Sequence, residues 1–277
     1  MVGQKTKKRI FLALNVTIHI ILLFCIFLPF YFMLVSSFKN NAEISANYFG
    51  LPNPVRWDNY VQAFQKVIVY LMNSLIICLS SVVGVTVLAC ICAFVFAKYN
   101  FPGKSVLFYI YISFLMIPGV LTLIPQFTMI VDFGLMGTYW AAILPYIAFG
   151  QVMFAFVLRS FIEGIPNDLF DSARIDGANP FQTFFSVVFP LSKPIITSMA
   201  LMNFLGNWND FVWPLLVLRG EDMKTITVGL YAFTDAQQTQ YGLLFAGFIL
   251  ASLPLMLLLG FNMKSFVQGM TTGAIKG

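Results

Sequence analysis

Charge is the scarcest property of this chain. Only 10% of its 277 residues are charged, against about 25% in soluble domains. Hydrophobic residues make up 59%, and the mean hydropathy is +0.85. A water-facing globular surface is excluded. Histidine occurs once, as His19, in an apolar run without metal-ligand companions. Cys25, Cys78, Cys90 and Cys92 also lie in apolar runs and read as small packing residues. Cys90 and Cys92 are two apart, so on a helix they point in different directions. Neither a zinc site nor a disulfide framework is indicated, and no metal is expected. No acid or nucleophile pairs are clustered as an enzyme requires, so the chain is expected to be non-catalytic. A complete P-loop is missing too. Gly103-Lys104-Ser105 matches its end, but Lys98 stands where the first glycine belongs. No nucleotide or other cofactor is expected on this chain.

What remains is long apolar runs. A membrane span needs about 20 such residues. Six are predicted, at roughly 11–35, 67–97, 106–131, 138–158, 194–218 and 241–263. Backbone polar groups must be satisfied inside lipid, and the runs do not alternate as barrel strands do, so the spans are expected to be helices. The fold class is all-α, a polytopic integral membrane protein. Lys5, Lys7, Lys8 and Arg9 precede the first run, which continues well past the length of a signal-peptide core and lacks a small-x-small cleavage site. An uncleaved first span is expected.

Basic residues set the orientation. With the N-terminus inside, the inner segments hold Lys5, Lys7, Lys8, Arg9, Lys98, Lys104, Arg159, Arg174, Lys193, Lys264 and Lys276. The outer segments hold only Lys39, Arg56, Lys66, Arg219 and Lys224. Both termini are therefore expected in the cytoplasm. The net charge of +5 follows from this bias. Basic residues spread over several loops form no face for nucleic acid. The largest outer segment, about 36–66, is expected to contain a short surface helix capped by Asp58.

One polar island interrupts the inner side, Ile165 to Pro194. Glu163, Asp168, Asp171 and Asp176 lie in or just before it. Pro166 suits a first helical position. Gly177 can supply the left-handed residue that ends that helix. Asn179, Pro180 and Gln182 then read as N-cap, N1 and the N3 partner of a capping box. Phe181, Phe184, Phe185 and Val188 follow helical spacing, and Pro190 is expected to stop the second helix. The prediction is two short helices joined by a glycine turn, lying against the membrane.

This loop resembles the EAA loop of binding-protein-dependent ABC importers. The family pattern is Glu-Ala-Ala, three residues, Gly, nine residues, then an aliphatic residue, any residue, Leu-Pro. Asp171-Ser172-Ala173, Gly177 and Val187-Val188-Phe189-Pro190 occupy those positions, with Asp for Glu, Ser for the first Ala and Phe for Leu. Ile175-Asp176-Gly177-Ala178 and Pro190-Leu191 are similar to the carbohydrate branch. The resemblance, over about residues 60–277, implies a type I ABC importer permease fold. It implies a permease subunit in the bacterial inner membrane that moves a sugar, expected to be an oligosaccharide. It also implies that Asp171, Ser172, Ala173, Asp176, Gly177 and Pro190 couple the spans to a separate ATPase. The implied partners are a second, non-identical permease, two copies of an ATP-binding subunit carrying ATP and Mg, and an extracytoplasmic sugar-binding protein. The other reading of the loop itself is an amphipathic interfacial helix pair without a partner.

The fifth span holds the densest polar stretch within the apolar runs. Asn203, Asn207 and Asp210 are at i, i+4 and i+7, on one face. Trp208-Asn209-Asp210-Phe211 is similar to the family's Trp-Asn-acidic-Phe signature. Asn203, Asn207, Asp210 and Trp208 are the candidate substrate-pathway residues; polar packing between helices is the alternative. Asn73, Gln126 and Gln151 could line a pore or cap contacts between helices. The tail from Phe266 resembles the ending of the smaller carbohydrate permease of the maltose-type pair. That implies contact of Gln268, Gly269 and Gly273 with the ATPase interface. Its Gly and Thr content disfavours helix. The expected organisation is an N-terminal segment with the first span and outer loop (1–66), a permease core (67–265) containing the inner loop 159–193, and a tail (266–277). An ion-coupled secondary transporter of a small polar solute is the competing class; it would show internal repeats and ionisable residues at the midplane.

Overall fold

The computed structural model describes the backbone of residues 2–231, 233–234 and 239–274, and the side chains of these between 11 and 263. Among the described residues the regular structure is helical, with no strand. The helices are α1 (Val2–Ser36), α2 (Asn41–Ala46), α3 (Asp58–Lys98), α4 (Lys104–Ser113), α5 (Gly119–Asp132) and α6 (Trp140–Glu163). They continue with α7 (Asn167–Ile175), α8 (Pro180–Thr183), α9 (Phe189–Asn209), α10 (Val212–Val217), α11 (Ile226–Tyr231) and α12 (Tyr241–Ala274). Five helical segments are long and apolar enough to cross a membrane, and the bent pair Lys104–Met116 and Gly119–Asp132 makes a sixth.

The chain divides into two compact units. The first comprises Met1–Val67 and Leu230–Ser252. Its core is Ala63, Leu243 and Ala246, packed by Tyr60 and Leu250. The segment after α1 is tightly folded. Asn40 and Glu43 form a capping box at α2. Asn59 donates to the carbonyls of Ser37 and Lys39, and Lys39, almost fully buried, donates to Asn47 O at 2.8 Å. Arg56 pairs with Glu43 at 3.2 Å. That guanidinium, then the Asn40 N–H, hold the Glu43 carboxyl below its ordinary 4.5. Asp58 does not cap a short surface helix. It opens the 41-residue α3, because the apolar run beyond it lets the helix propagate without a second nucleation.

The second unit comprises Ile68–Gly229 and Leu253–Gly277. One core cluster joins the C-terminal half of α3 (Val85, Ala89, Ala93, Phe94), α6 (Phe154, Leu158, Ile162) and the start of α9 (Ile195, Ile196). A second joins Ile77 of α3, Ile130 of α5, Ala141 to Ile143 of α6, and Trp213 and Val217 of α10. Cys90 packs within the first cluster.

Three expectations are corrected here. The third span is not continuous. After α4 a 3₁₀ turn, Phe114–Met116, leads to a break, and α5 leaves at 99° to α4. Ile117 precedes Pro118, which disfavours helical backbone, and both are extended, with ψ of 115° and 126°. The fifth span also breaks. α9 ends at Asn209, Asp210 is extended (ψ 129°), and α10 follows. Pro190, third, does not stop a helix. A π turn, Phe184–Val188, runs into α9, and the Phe189 N–H bonds back to Phe184 O, five residues earlier. That shift of register accommodates a proline whose N–H is missing.

Candidate functional site

The polar island folds as two helices about a glycine. Gly177 has φ of 75°, in the region that a Cβ disfavours. Asn179 accepts from the Gln182 N–H and the Gln182 side chain accepts from the Asn179 N–H, both at 2.9 Å. Pro180 is at N1 of α8, as the sequence predicts. Pro166 is the N-cap of α7, one position before the predicted N1.

α7 has two sides. Phe170 and Ala173, three apart, are buried with Ile165. Asp168, Asp171, Ser172, Arg174, Ile175 and Asp176 face outwards. Ile175 is 88% exposed. It stands on the same outward side as the carboxylates Asp168, Asp171 and Asp176. Ala173 packs inwards, so its part is to seat the helix. Ser172 donates to Asp168 O, and Arg174 stands 3.5 Å from Asp171.

Lys98, the last residue of α3, holds the loop from the side. Its Nζ donates to Ile165 O at 3.0 Å and to Asn167 Oδ1 at 3.1 Å. It also lies 4.1 Å over the Phe170 ring, a cation–π contact. Phe184 makes an edge contact with Phe94 of α3. Arg159 of α6 pairs with Glu163 at 2.7 Å and lies over the Phe108 ring of α4. Three membrane helices thus share fixed contacts at or beside the loop. The sequence reading missed Lys98 and Phe170. A lysine at a helix end eight residues past Cys90 carries no local signal of a partner about 70 residues away.

Away from the loop lies a cavity of about 440 Å³. Its polar lining is Asn203, Asn207, Asp210, Gln126, Thr122 and Tyr146. The predicted face of α9 is therefore brought together on one cavity. Asn207 Nδ2 donates to Asn203 Oδ1 at 3.2 Å. Tyr146 of α6 donates to Asp210 Oδ2 at 2.8 Å, and the Trp213 N–H points to Asp210 Oδ1. Thr227 donates to Asp210 O. Gly150 lets α6 approach, since a Cβ there would collide with the Asn203 amide. Trp208 is not part of this lining. It is 3% exposed and stacks on Phe204, on the other side of α9.

The three polar residues left open separate cleanly. Gln126 lines the cavity. Gln151 accepts from the Tyr111 hydroxyl. Asn73 is buried and caps a loop, donating to the carbonyls of Asp222 and Lys224 and accepting from Tyr139. The tail enters α12, whose backbone is helical to Ala274. Extension of an existing helix needs no new nucleus, which outweighs the Gly and Thr content. The side chains of Gln268, Gly269 and Gly273 lie outside the described residues.

The chain is thus a polytopic helical membrane protein with a polar cavity among its spans and a capped helical knob on a connecting loop. The chain belongs to the family of binding-protein-dependent transport system inner membrane components, whose model matches residues 85–272. It is 34% identical over 253 residues to the diacetylchitobiose uptake system permease protein NgcG of Streptomyces coelicolor, covering 90% of this chain and 84% of that one. It is 32% identical to the arabinooligosaccharides transport system permease protein AraQ of Bacillus subtilis, covering 90% of each. It is 29% identical to the maltodextrin transport system permease protein MalD of Streptococcus pneumoniae, covering 99% and 98%. The fold matches a bacterial ABC transporter for import of the polysaccharide alginate, with TM-score 0.80 at 21% identity over 93% of this chain and 97% of that one. The chain is thus a non-catalytic, multi-pass permease of the inner membrane, and the ion-coupled alternative is set aside.

Proposed function

We propose that this permease forms half of the pore of an ATP-driven importer for oligosaccharides, coupled to its ATPase through residues 165–190. The observation that carries the reading is the loop's division of surfaces. Ile165, Phe170 and Ala173 anchor it to the spans, while Asp171, Ser172, Ile175, Asp176 and Gly177 are left outward for a partner. ATP and Mg bind on two copies of that partner, the ATP-binding subunit. The N- and C-termini and the loop lie in the cytoplasm, in keeping with the basic residues of the inner segments. Gln268, Gly269 and Gly273 of the tail reach the ATPase interface.

The cavity at Asn203, Asn207 and Asp210 forms this subunit's share of the pathway, and its amides and carboxylate suit sugar hydroxyls. Trp208 supports that wall from behind. A second, non-identical permease completes the pore, and an external sugar-binding protein delivers the substrate. Relatives named for oligosaccharide uptake support the substrate class. The test is copurification with ATP-binding subunits, followed by ATPase stimulation by loaded binding protein across a panel of oligosaccharides. Uptake driven by an ion gradient without ATP would overturn the reading.

A further inference from the structure

Two cavities adjoin where the loop packs against the end of α3. The smaller, about 230 Å³, is lined by Lys98, Tyr99, Phe170, Arg174, Ala178 and Thr183, among others. The larger, about 450 Å³, is a wholly apolar groove that includes Cys90, Ile91, Phe181, Phe184, Phe185 and Phe189. Phe94 and Pro180 line both. Of these two adjoining cavities one is thus basic and the other is oily. Phe181, at 72% exposure, and Phe185 are exposed on the loop.

The basic end has donors to spare. Lys98 commits two of its three N–H groups to Ile165 O and Asn167 Oδ1 and lies over the Phe170 ring, so it offers the pocket chiefly its charge. Arg174 touches Asp171 only at 3.5 Å, with 71% of its side chain exposed, so most of its five N–H groups are unspent. The nearby carboxylate Glu163 is already occupied by Arg159 at 2.7 Å. A planar guanidinium beside an ammonium is the pairing that takes a phosphate. A basic pocket facing lipid at headgroup depth recognises anionic lipids.

We propose that these two cavities bind one anionic phospholipid of the cytoplasmic leaflet, its phosphate between Lys98 and Arg174 and one acyl chain along the phenylalanine groove. The site deepens the coupling-loop reading and rests on it, because it takes the loop to lie at the cytoplasmic headgroup level. The lipid would brace the loop on α3, beside the face that α7 offers to the ATPase.

The test uses the complete importer, purified with its partners and placed in lipid nanodiscs. A Phe185→Trp substitution puts a fluorophore in the groove without removing its apolar bulk. Brominated phosphatidylglycerol, added at a small fraction of the lipid, is expected to quench that tryptophan at several-fold lower mole fraction than brominated phosphatidylcholine. The difference should shrink with added salt and vanish in the Arg174→Gln variant. Equal quenching by the two lipids would reduce the groove to ordinary solvation by the bilayer and overturn the proposal. No quenching by either would show the groove covered by a partner subunit, and would overturn it equally. Substrate-stimulated ATPase in phosphatidylcholine alone reports coupling separately. Absence of any lipid preference in the importer that keeps Arg174, with coupling intact, would sink the lipid site and leave the coupling loop standing.

Discussion

Lys98 at the end of α3 and Phe170 in the middle of α7 are joined face to charge, at 4.1 Å. Around that contact the same ammonium donates to Ile165 O and Asn167. This side chain is thus a polar link between α7 and α3, beside the packing of Phe170 in one cluster with Phe94. Replacement by methionine keeps the stem and removes the charge and both hydrogen bonds. Hydrogen bonds to a charged group are worth about 1.5–3 kcal/mol each. The Lys98→Met importer is expected to assemble but to transport at a reduced number of sugars per ATP, measured by paired uptake and phosphate release in proteoliposomes. An unchanged ratio would rule out Lys98 as the transmitting contact.

Gly177 separates backbone strain from contact. A Cβ placed there meets nothing within 4 Å, yet φ is 75°. The cost of substitution is conformational, about 1–2 kcal/mol for a residue forced left-handed. Gly177→Val is expected to uncouple ATP hydrolysis from uptake, whereas Gly177→Asn, which tolerates the region, should retain most coupling. Equal loss in both would point to a direct role in docking.

Tyr146 and Asp210 form a pair across α6 and the α9–α10 break, at 2.8 Å. Tyr146→Phe and Asp210→Asn should each lower uptake, and together by less than the product of the two effects. Contacting residues commonly couple by 0.5–3 kcal/mol. Strictly multiplicative losses in initial rates would mean that the hydroxyl and carboxylate act apart.

Glu43 gives the first unit a pH dependence. Its pKa is lowered from 4.5 by Arg56 and Asn40. A depressed carboxylate contributes stability that is present above the unfolded-state value and lost as pH falls through the folded one. The pair is partly exposed, so the effect is local and small. Fluorescence of Trp57, which packs edge-on against Phe38 at 5.0 Å, should report loosening on acidification below the ordinary carboxylate range. Glu43→Gln should abolish that acid transition.

Local chemistry was legible in the sequence, and long-range chemistry was not. Asn179 and Gln182 act on each other three residues apart, and the structure places them in the predicted capping box with Pro180 at N1. Asn203 and Asn207 share a face by helical spacing alone, and that face lines the cavity. Trp208 adjoins Asn207 in sequence but turns to the opposite side, where Phe204 stacks on it. Tyr146 escaped notice because a tyrosine in an apolar helix has no mark of the carboxylate it will meet. The breaks escaped for another reason. Hydropathy runs unchanged through Ile117-Pro118-Gly119, and a hydropathy window does not see dihedral angles.

The break between α4 and α5 sets a condition on how the protein can be made. α5 has 14 residues and is about 21 Å long, short of the roughly 30 Å of hydrocarbon. Helix ends leave unbonded peptide groups, and non-helical backbone persists at that depth only against protein or water. Met116 and Val120, at the bend, are 84% and 83% exposed in the single chain. A bend at hydrocarbon depth thus requires protein or water beside it, a condition that insertion of this segment has to meet.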